Sequence, residues 1–248
     1  METELREDAI IKLVGDIRRY QPMIGGKKLY KLLKDDLKNM EGGVGRDKFF
    51  DILRKRQLLV KRKRRYARTT ESNHHFRRHK NRLKEKLLTG PNQAYVSDIT
   101  YLRTRQGFVY LFLQTDAYSR KITGWDLSNS LAIEGAIRAL KMTIRQSPQT
   151  AGVVHHSDRG IQYCSKEYVK LLRKGKMEIS MTEENHCYEN AIAERVNGIL
   201  KEEFLLYQEF ADKQSALKAV KEAIKSYNER RPHWSLNLCT PTQVHMAA

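Results

Sequence analysis

The sequence has few cysteines and no long apolar run. Its three cysteines include no C-x-x-C pair, so they indicate neither a disulfide framework nor a thiolate zinc site. We interpret the histidines His74, His75 and His79 as surface residues or phosphate contacts rather than zinc ligands. No apolar stretch approaches the roughly 20 residues of a membrane-spanning helix, and the first residues lack a secretory signal. A cytoplasmic protein without a membrane partner is expected.

Acidic residues are scarce relative to basic ones. The 248 residues include 47 lysines and arginines against 29 aspartates and glutamates, which gives a formal net charge of +18. The first 90 residues hold 26 of the basic residues and only 12 of the acidic ones. This excess goes far beyond what solubility requires and predicts a polyanionic partner, with nucleic acid as the leading candidate. The length favours one larger and one smaller domain.

The first part of the chain has a helical pattern. Apolar residues recur every three or four positions over residues 5–19 and 27–37, as amphipathic helices require. A third such stretch, residues 46–56, follows a glycine-containing turn. Helix, glycine turn and helix together predict a small helix-turn-helix-like DNA-binding domain over residues 1–60, although other three-helix bundles share this pattern.

A strongly basic block follows the helices, and we predict that residues 61–90 form a linker that also contacts DNA. The block is consistent with either a basic helix or a solvated, flexible charge run, and both would bind phosphate. The predicted DNA contacts in this block are Lys61, Arg62, Lys63, Arg64, Arg65 and Arg68.

Beyond Gly90 and Pro91 the composition changes to short β-rich segments, so a second domain is predicted over residues 91–248. Three strands come first and suggest an antiparallel meander, and helices and strands then alternate. This order predicts an α/β fold of the RNase H-like type, with a mixed five-stranded sheet flanked by helices. The predicted strands are 95–102, 108–115, 121–127, 152–156 and 178–181, and the predicted helices are 133–145, 166–174, 190–204 and 212–229.

Three acidic residues in this domain are candidates for chemistry. Asp98 lies within an apolar strand, where a charge is costly to bury unless it is paired or bound to metal. Asp158 comes just past the end of a later strand, where open α/β sheets bind ligands. Glu194 lies on a predicted helix, and 35 residues separate it from Asp158. Each acid alone would be an ordinary strand, turn or surface residue, but their order and spacing together indicate a site.

The segments around these acids resemble the catalytic motifs of DDE transposases and retroviral-type integrases. They read S-D-I-T-Y from Ser97, H-S-D-R-G-I-Q-Y from His156 and N-A-I-A-E from Asn190. The similarity is greatest to the catalytic second reading frame of bacterial insertion sequences, and it covers roughly residues 20–246. Two departures, Tyr95 where that family often has Trp and Glu189 where it often has Asp, keep the chemical character. Further matching segments are Arg68-Thr69-Thr70, Tyr227-Asn228 and Arg231-Pro232-His233.

This resemblance implies a metal-dependent DNA transposase or integrase. Asp98, Asp158 and Glu194 would be both the catalytic residues and the ligands of two Mg²⁺ ions, with Asp98 bridging the ions and Mn²⁺ as an expected substitute. The resemblance also implies DNA partners, namely the terminal repeats of the element and the target DNA. It further implies a homo-oligomer assembled on DNA, an upstream-frame DNA-binding partner or fusion, and a nucleoid-associated protein in the bacterial cytoplasm.

Three side chains near the acids are further candidates for DNA contacts. Lys201 follows Glu194 by two helical turns and would lie on the same helix face, where a phosphate contact and a solvated lysine are both reasonable. His156 and Arg159 flank Asp158 and could contact DNA, support the metal ligands or stabilise the local turn.

Two other functions are consistent with the same sequence. A DNA-binding regulator with an inactive core would need only the basic first part of the chain. An RNase H-like nuclease would hydrolyse DNA at the same acids without joining strands. Assays of cleavage and strand joining separate the three possibilities.

Overall fold

The computed structural model describes residues 2–60, 79–84, 86–183 and 190–247. The chain forms two compact units, one of Met1–Ala67 with Glu202–Leu205 and one of Arg68–Lys201 with Leu206–Ala248. The DNA contacts predicted in the basic block lie outside the described residues, as does Glu189. The block residues concerned are Lys61, Arg62, Lys63, Arg64, Arg65 and Arg68.

The first unit is helical. Its helices are α1 (Glu2–Arg18), α2 (Gly26–Leu32), α3 (Lys34–Asn39) and α4 (Arg46–Lys55). The single helix predicted over residues 27–37 is wrong, because the backbone of Leu33 leaves helical dihedral angles and separates α2 from α3. This break does not expose the apolar side chains, since Leu29, Leu33 and Leu37 are all buried in the core of the unit.

The second unit contains the five-stranded sheet. Its strands are β1 (Ala94–Thr104), β2 (Gly107–Asp116), β3 (Ile122–Ser128), β4 (Val154–Ser157) and β5 (Glu178–Met181), in the spatial order β3-β2-β1-β4-β5. The first three strands pair antiparallel, as the sequence predicts, and β4 and β5 run parallel to β1. The predicted mixed sheet is therefore confirmed, and β1 lies at its centre.

Helices flank this sheet. They are α5 (Ile133–Gln146), α6 (Ile161–Cys164), α7 (Lys166–Lys174), α8 (Ala191–Glu203), α9 (Lys213–Glu229) and α10 (Pro241–Met246). The start of α9 is fixed by a capping box, in which the side chains of Asp212 and Ser215 satisfy each other's backbone N–H groups. The sequence did not predict α6 or α10, because each is too short to show a helical period. Among the helices of the described residues, none is long and apolar enough to cross a membrane.

Glycine allows α5 to approach the sheet closely. A Cβ atom on Gly124 of β3 would lie 2.1 Å from the carbonyl oxygen of Ala139, and one on Gly135 would lie 2.4 Å from the ring of Phe112. Neither contact could be tolerated with a larger residue. On the other face, Ala94, Val96 and Ala193 are buried in one cluster, which brings α8 against the first half of β1.

A buried polar network around Ser97, the residue before Asp98, links the sheet to α7. The Ser97 hydroxyl donates to Gln114 Oε1 at 2.6 Å and lies 2.7 Å from His155 Nε2. The Tyr168 hydroxyl accepts from Gln114 Nε2 at 2.9 Å and lies 2.9 Å from the same histidine nitrogen. Burial lowers the pKa of His155 to about 3, so its ring is neutral. The network joins β1, β2, β4 and α7 without a buried charge.

We predict that Tyr168→Phe lowers the free energy of unfolding by about 1–3 kcal/mol, because the buried amide of Gln114 loses its acceptor. Chemical denaturation followed by circular dichroism measures this change. Tyr118→Phe, at a partly exposed position, is the matched control and should change stability little. Equal stability of Tyr168→Phe and the wild type would show that the network does not hold the sheet.

Candidate active site

The three predicted acids come from three different elements. Asp98 lies in the central strand β1, Asp158 directly follows β4, and Glu194 lies in the first turn of α8. In the parallel pairing of β1 with β4, Ser97 lies opposite Ser157, so the next residue in each strand direction is an aspartate. The pairing register therefore places Asp98 and Asp158 side by side, level with the carboxyl end of β4.

Asp98 is the most strongly perturbed of the three acids. Burial and the negative charges of Asp158 and Glu194 together raise its pKa to about 7, although hydrogen bonds act in the opposite direction. Those hydrogen bonds come from the backbone N–H of Ile99, at 2.9 Å, and from the amide of Asn197, at 2.7 Å. The carboxyl of Asp98 is therefore held in one orientation within a cluster of like charge.

The other two acids are more accessible. Asp158 is partly exposed, and its Oδ1 atom accepts a hydrogen bond from the N–H of Gly160 at 3.0 Å. Glu194 is exposed, and its pKa is raised by partial desolvation and by the charge of Asp158. In the described part of the chain, no three histidine, cysteine, aspartate or glutamate side chains form a group that could hold a metal ion as they stand. The acids are electrostatically coupled but not arranged as a closed ligand set.

Two asparagines tie α8 to the strand that carries Asp98. The amide of Asn190, just before α8, donates to the carbonyl oxygen of Ser97 at 3.1 Å. Asn197 lies one turn after Glu194 and donates to Asp98 Oδ2. Asn197 was not among the residues predicted from the sequence, although its spacing of three residues from Glu194 places it on the same helix face. These two contacts fix the distance between β1 and the helix of Glu194.

Of the three further candidates for DNA contacts, His156 is the one whose predicted role the structure contradicts. Its side chain is completely buried, and its Nδ1 atom lies 2.8 Å from the hydroxyl of Ser180 in β5, so it cannot reach DNA directly. Arg159 is partly exposed, and its Nε donates to the carbonyl oxygen of Thr182 at 2.7 Å, which stabilises the loop after β5. Lys201 is partly exposed, and its ammonium lies 4.5 Å from the centre of the Tyr101 ring.

Tyr163 packs behind the acids. Its ring is buried and lies 5.4 Å from that of Tyr168 and 6.3 Å from that of His155, measured between ring centres. Burial and nearby negative charge raise its pKa well above its ordinary value, so the hydroxyl stays protonated. This position agrees with a packing role for Tyr163 rather than with a nucleophile.

The sequence matches known families and relatives over most of its length. Residues 89–187 match a family profile described as integrase core domain, and residues 175–241 match a second profile of the same description. An uncharacterized 31 kDa protein of insertion element IS600 from Shigella sonnei is 34% identical over 200 residues, covering 80% of this chain and 74% of that protein. Transposase InsF of insertion sequence IS3A from Escherichia coli K12 is 33% identical over 183 residues. That match covers 73% of this chain but 64% of InsF, so the chain spans slightly less than two thirds of it.

Solved structures share the fold. A chain of the simian T-cell lymphotropic virus intasome superposes with a TM-score of 0.56 and 18% identity, covering 91% of this chain and 72% of that one. The HTLV-2 integrase catalytic core superposes with a TM-score of 0.51 and 18% identity, covering 63% of this chain and 98% of the core. The fold is therefore that of an RNase H-like integrase core. With the insertion-element relatives, these findings show that the chain belongs to the DDE transposase and retroviral-type integrase superfamily.

The coupling between the acids can be measured directly in metal-free protein. We predict that Asp158→Asn lowers the pKa of Asp98 toward the ordinary value of 3.8, because one neighbouring negative charge is removed. Asn197→Ala should raise the same pKa, because a donor to the carboxylate is lost. Carbon-13 NMR titration of the side-chain carboxyls reports both changes, with Asp212 at the start of α9 as the internal reference. If the pKa of Asp98 is the same in Asp158→Asn as in the wild type, the carboxyls of Asp98 and Asp158 are not electrostatically coupled.

Proposed function

We propose that this chain is the catalytic transposase of an insertion sequence, which cleaves DNA at the ends of the element and joins them to target DNA. This proposal depends on one geometric observation: β1 and β4 place Asp98 beside Asp158, and Asn197 ties the helix of Glu194 to Asp98 at 2.7 Å. The relatives named transposase InsF support a transposase function. The match to the integrase core domain profile supports a reaction that cleaves and joins DNA strands.

The donor set suits divalent metal ions. Carboxylate oxygens are the hard ligands that Mg²⁺ prefers, and a cluster of coupled negative charges is stabilised by a cation. We propose that Asp98, Asp158 and Glu194 hold two Mg²⁺ ions, with Mn²⁺ as a substitute, and that the exposed Glu194 side chain turns toward the aspartates to do so. When bound, two such ions activate an attacking oxygen and stabilise charge on the leaving oxygen.

The proposed reaction has two steps at one site. First, the oxygen of a water molecule attacks phosphorus, the bond from phosphorus to the 3′ oxygen of the element end breaks, and that oxygen leaves as a hydroxyl. This 3′ hydroxyl then loses its proton and attacks a phosphodiester of the target, whose own 3′ oxygen leaves and takes a proton. Neither step needs a covalent bond to the protein, which agrees with the packing position of Tyr163.

Residues of this chain would hold the DNA in place for both steps. The net charge of +18 favours phosphate binding, and we propose that the first unit recognises the terminal repeats of the element. Lys201 is proposed to contact the phosphate beside the cleaved bond, and Arg159 to support the loop after β5. The block Lys61, Arg62, Lys63, Arg64, Arg65 and Arg68 remains a proposed DNA contact. We also propose a homo-oligomer assembled on two element ends, together with an upstream-frame DNA-binding partner or fusion.

Removing one acid should slow cleavage and joining strongly while leaving DNA binding intact. We predict that Glu194→Gln lowers the rates of cleavage and joining of terminal-repeat DNA about a thousandfold, because metal stabilisation of the transition state contributes several kcal/mol. Glu202→Gln, at an exposed position on the same helix, is the matched control and should keep near wild-type rates. The assay follows labelled terminal-repeat DNA on sequencing gels in Mg²⁺.

Three outcomes of this assay contradict the proposal. Equal rates for Glu194→Gln and wild type would exclude the metal site. Cleavage without any joined product would favour an RNase H-like nuclease. Binding to the DNA without cleavage by the wild type would favour a DNA-binding regulator.

Metal binding should also stabilise the folded chain. We predict that Mg²⁺ or Mn²⁺ raises the Tm of the wild type by several degrees, since a ligand at 100 times its Kd contributes about 2.7 kcal/mol. The rise should be larger at pH 8 than at pH 6, because below its pKa of about 7 the Asp98 carboxyl is mostly protonated and protons compete with the metal. Differential scanning fluorimetry measures the shift, which should be absent in Asp98→Asn and present in Glu202→Gln. A shift that Asp98→Asn retains would place the metal elsewhere.

A further inference from the structure

The hairpin of β1 and β2 carries an exposed aromatic and cationic face. Tyr101 and Arg103 on β1 pair across the strands with Tyr110 and Phe108 on β2, so all four side chains point to the same side. We call these four residues the hairpin face. Phe108 is 46% exposed, Arg103 is exposed, and the two tyrosines are partly exposed. A large aromatic side chain with this exposure is available for a partner.

The hairpin that carries this face extends past the level of the proposed active site. The partner strand β4 ends at Ser157, opposite Ser97, whereas β1 continues to Thr104. The hairpin therefore extends beyond the level of Asp98 by six residues, or roughly 20 Å of strand. Lys201 links the two regions, because it follows Glu194 on α8 and its ammonium lies 4.5 Å from the Tyr101 ring centre.

The chemistry of the face combines ring surfaces with positive charge. The Tyr101 and Phe108 rings meet edge to face at 5.2 Å, and the guanidinium of Arg103 lies 5.8 Å from the centre of Phe108. Residues 99–115 contain no aspartate or glutamate, so the arginines of the hairpin have no acidic neighbour along these strands. Such a surface attracts a polyanion that also presents flat rings.

We propose that the hairpin face is a stacking platform for an unpaired nucleotide of the DNA that enters the active site. A paired base within a duplex has both ring faces covered by its neighbours, whereas an unpaired base of a single-stranded tail can offer a face to Phe108. Arg103 and Lys201 would contact the flanking phosphates. The inference rests on the proposed function, since that function brings DNA ends to Asp98, and it adds a binding site for their unpaired bases.

The test compares two DNA duplexes of the same sequence, one blunt and one with a short single-stranded tail that contains 2-aminopurine. Binding is measured by fluorescence anisotropy in EDTA at fixed salt, so that no chemistry occurs. The wild type should bind the tailed duplex more tightly and quench the 2-aminopurine. Phe108→Leu, which keeps an apolar side chain but has no ring, should weaken binding of the tailed duplex about tenfold and leave blunt binding unchanged.

Two variants make the result specific. Phe108→Tyr keeps the ring and should keep the preference for the tail. Trp234→Leu removes another exposed aromatic, which is 58% exposed, and should change neither affinity. A wild type without preference for the tail, an unchanged preference in Phe108→Leu, or an equal loss for both duplexes would each overturn the platform. An equal loss would indicate that this face binds duplex DNA.

The proposed function and the platform can fail separately. Asp158→Asn should lose strand joining but keep the preference for the tailed duplex, which is measured without metal. If the wild type joins DNA strands but does not prefer the tailed duplex, the stacking platform is refuted and the proposed function stands. A preference for the tail in a wild type that does not join DNA would refute the transposase function and leave the platform standing as a DNA-binding site.

Discussion

Repulsion between the carboxylates of Asp98, Asp158 and Glu194 is the interaction that the surrounding structure opposes. The parallel pairing of β1 with β4 brings the two aspartates together, and packing of α8 on β1 adds the glutamate. Hydrogen bonds from Asn190 and Asn197 hold the helix to the strand against this repulsion. Gathering like charges lowers the stability of the metal-free fold, as is common where a site is organised for a reaction.

The other side of the sheet supplies rigidity without charge. Ser97 is the residue before Asp98, and it is bonded to Gln114 and lies against a neutral His155. Gly124 and Gly135 let α5 lie tightly against β3 and β2, and β2 pairs with β1 along its length. A carboxyl held in one orientation by a rigid strand can bind a ligand without first losing conformational freedom. The hairpin beyond this point is more exposed, which suits binding rather than chemistry.

The sequence predicted the strands, the longer helices and the positions of the three acids, because periodicity and motif spacing are local properties. Prediction from the sequence failed where tertiary packing determines the local backbone or the burial of a side chain. The break at Leu33 and the burial of His156 depend on neighbours that are distant in sequence. Asn197 was missed for the same reason, since an asparagine on a helix gains meaning only when a strand 99 residues away places Asp98 beside it. The hairpin face likewise follows from cross-strand pairing.

The central claim is that the three acids form one divalent metal site, and the location of bound manganese tests it most directly. Crystals of the full chain with DNA, soaked in Mn²⁺, would be measured at a wavelength where manganese scatters anomalously. Two anomalous peaks about 4 Å apart are expected, both within ligand distance of Asp98, Asp158 or Glu194. Peaks elsewhere on the chain, or none at these carboxylates, would contradict it.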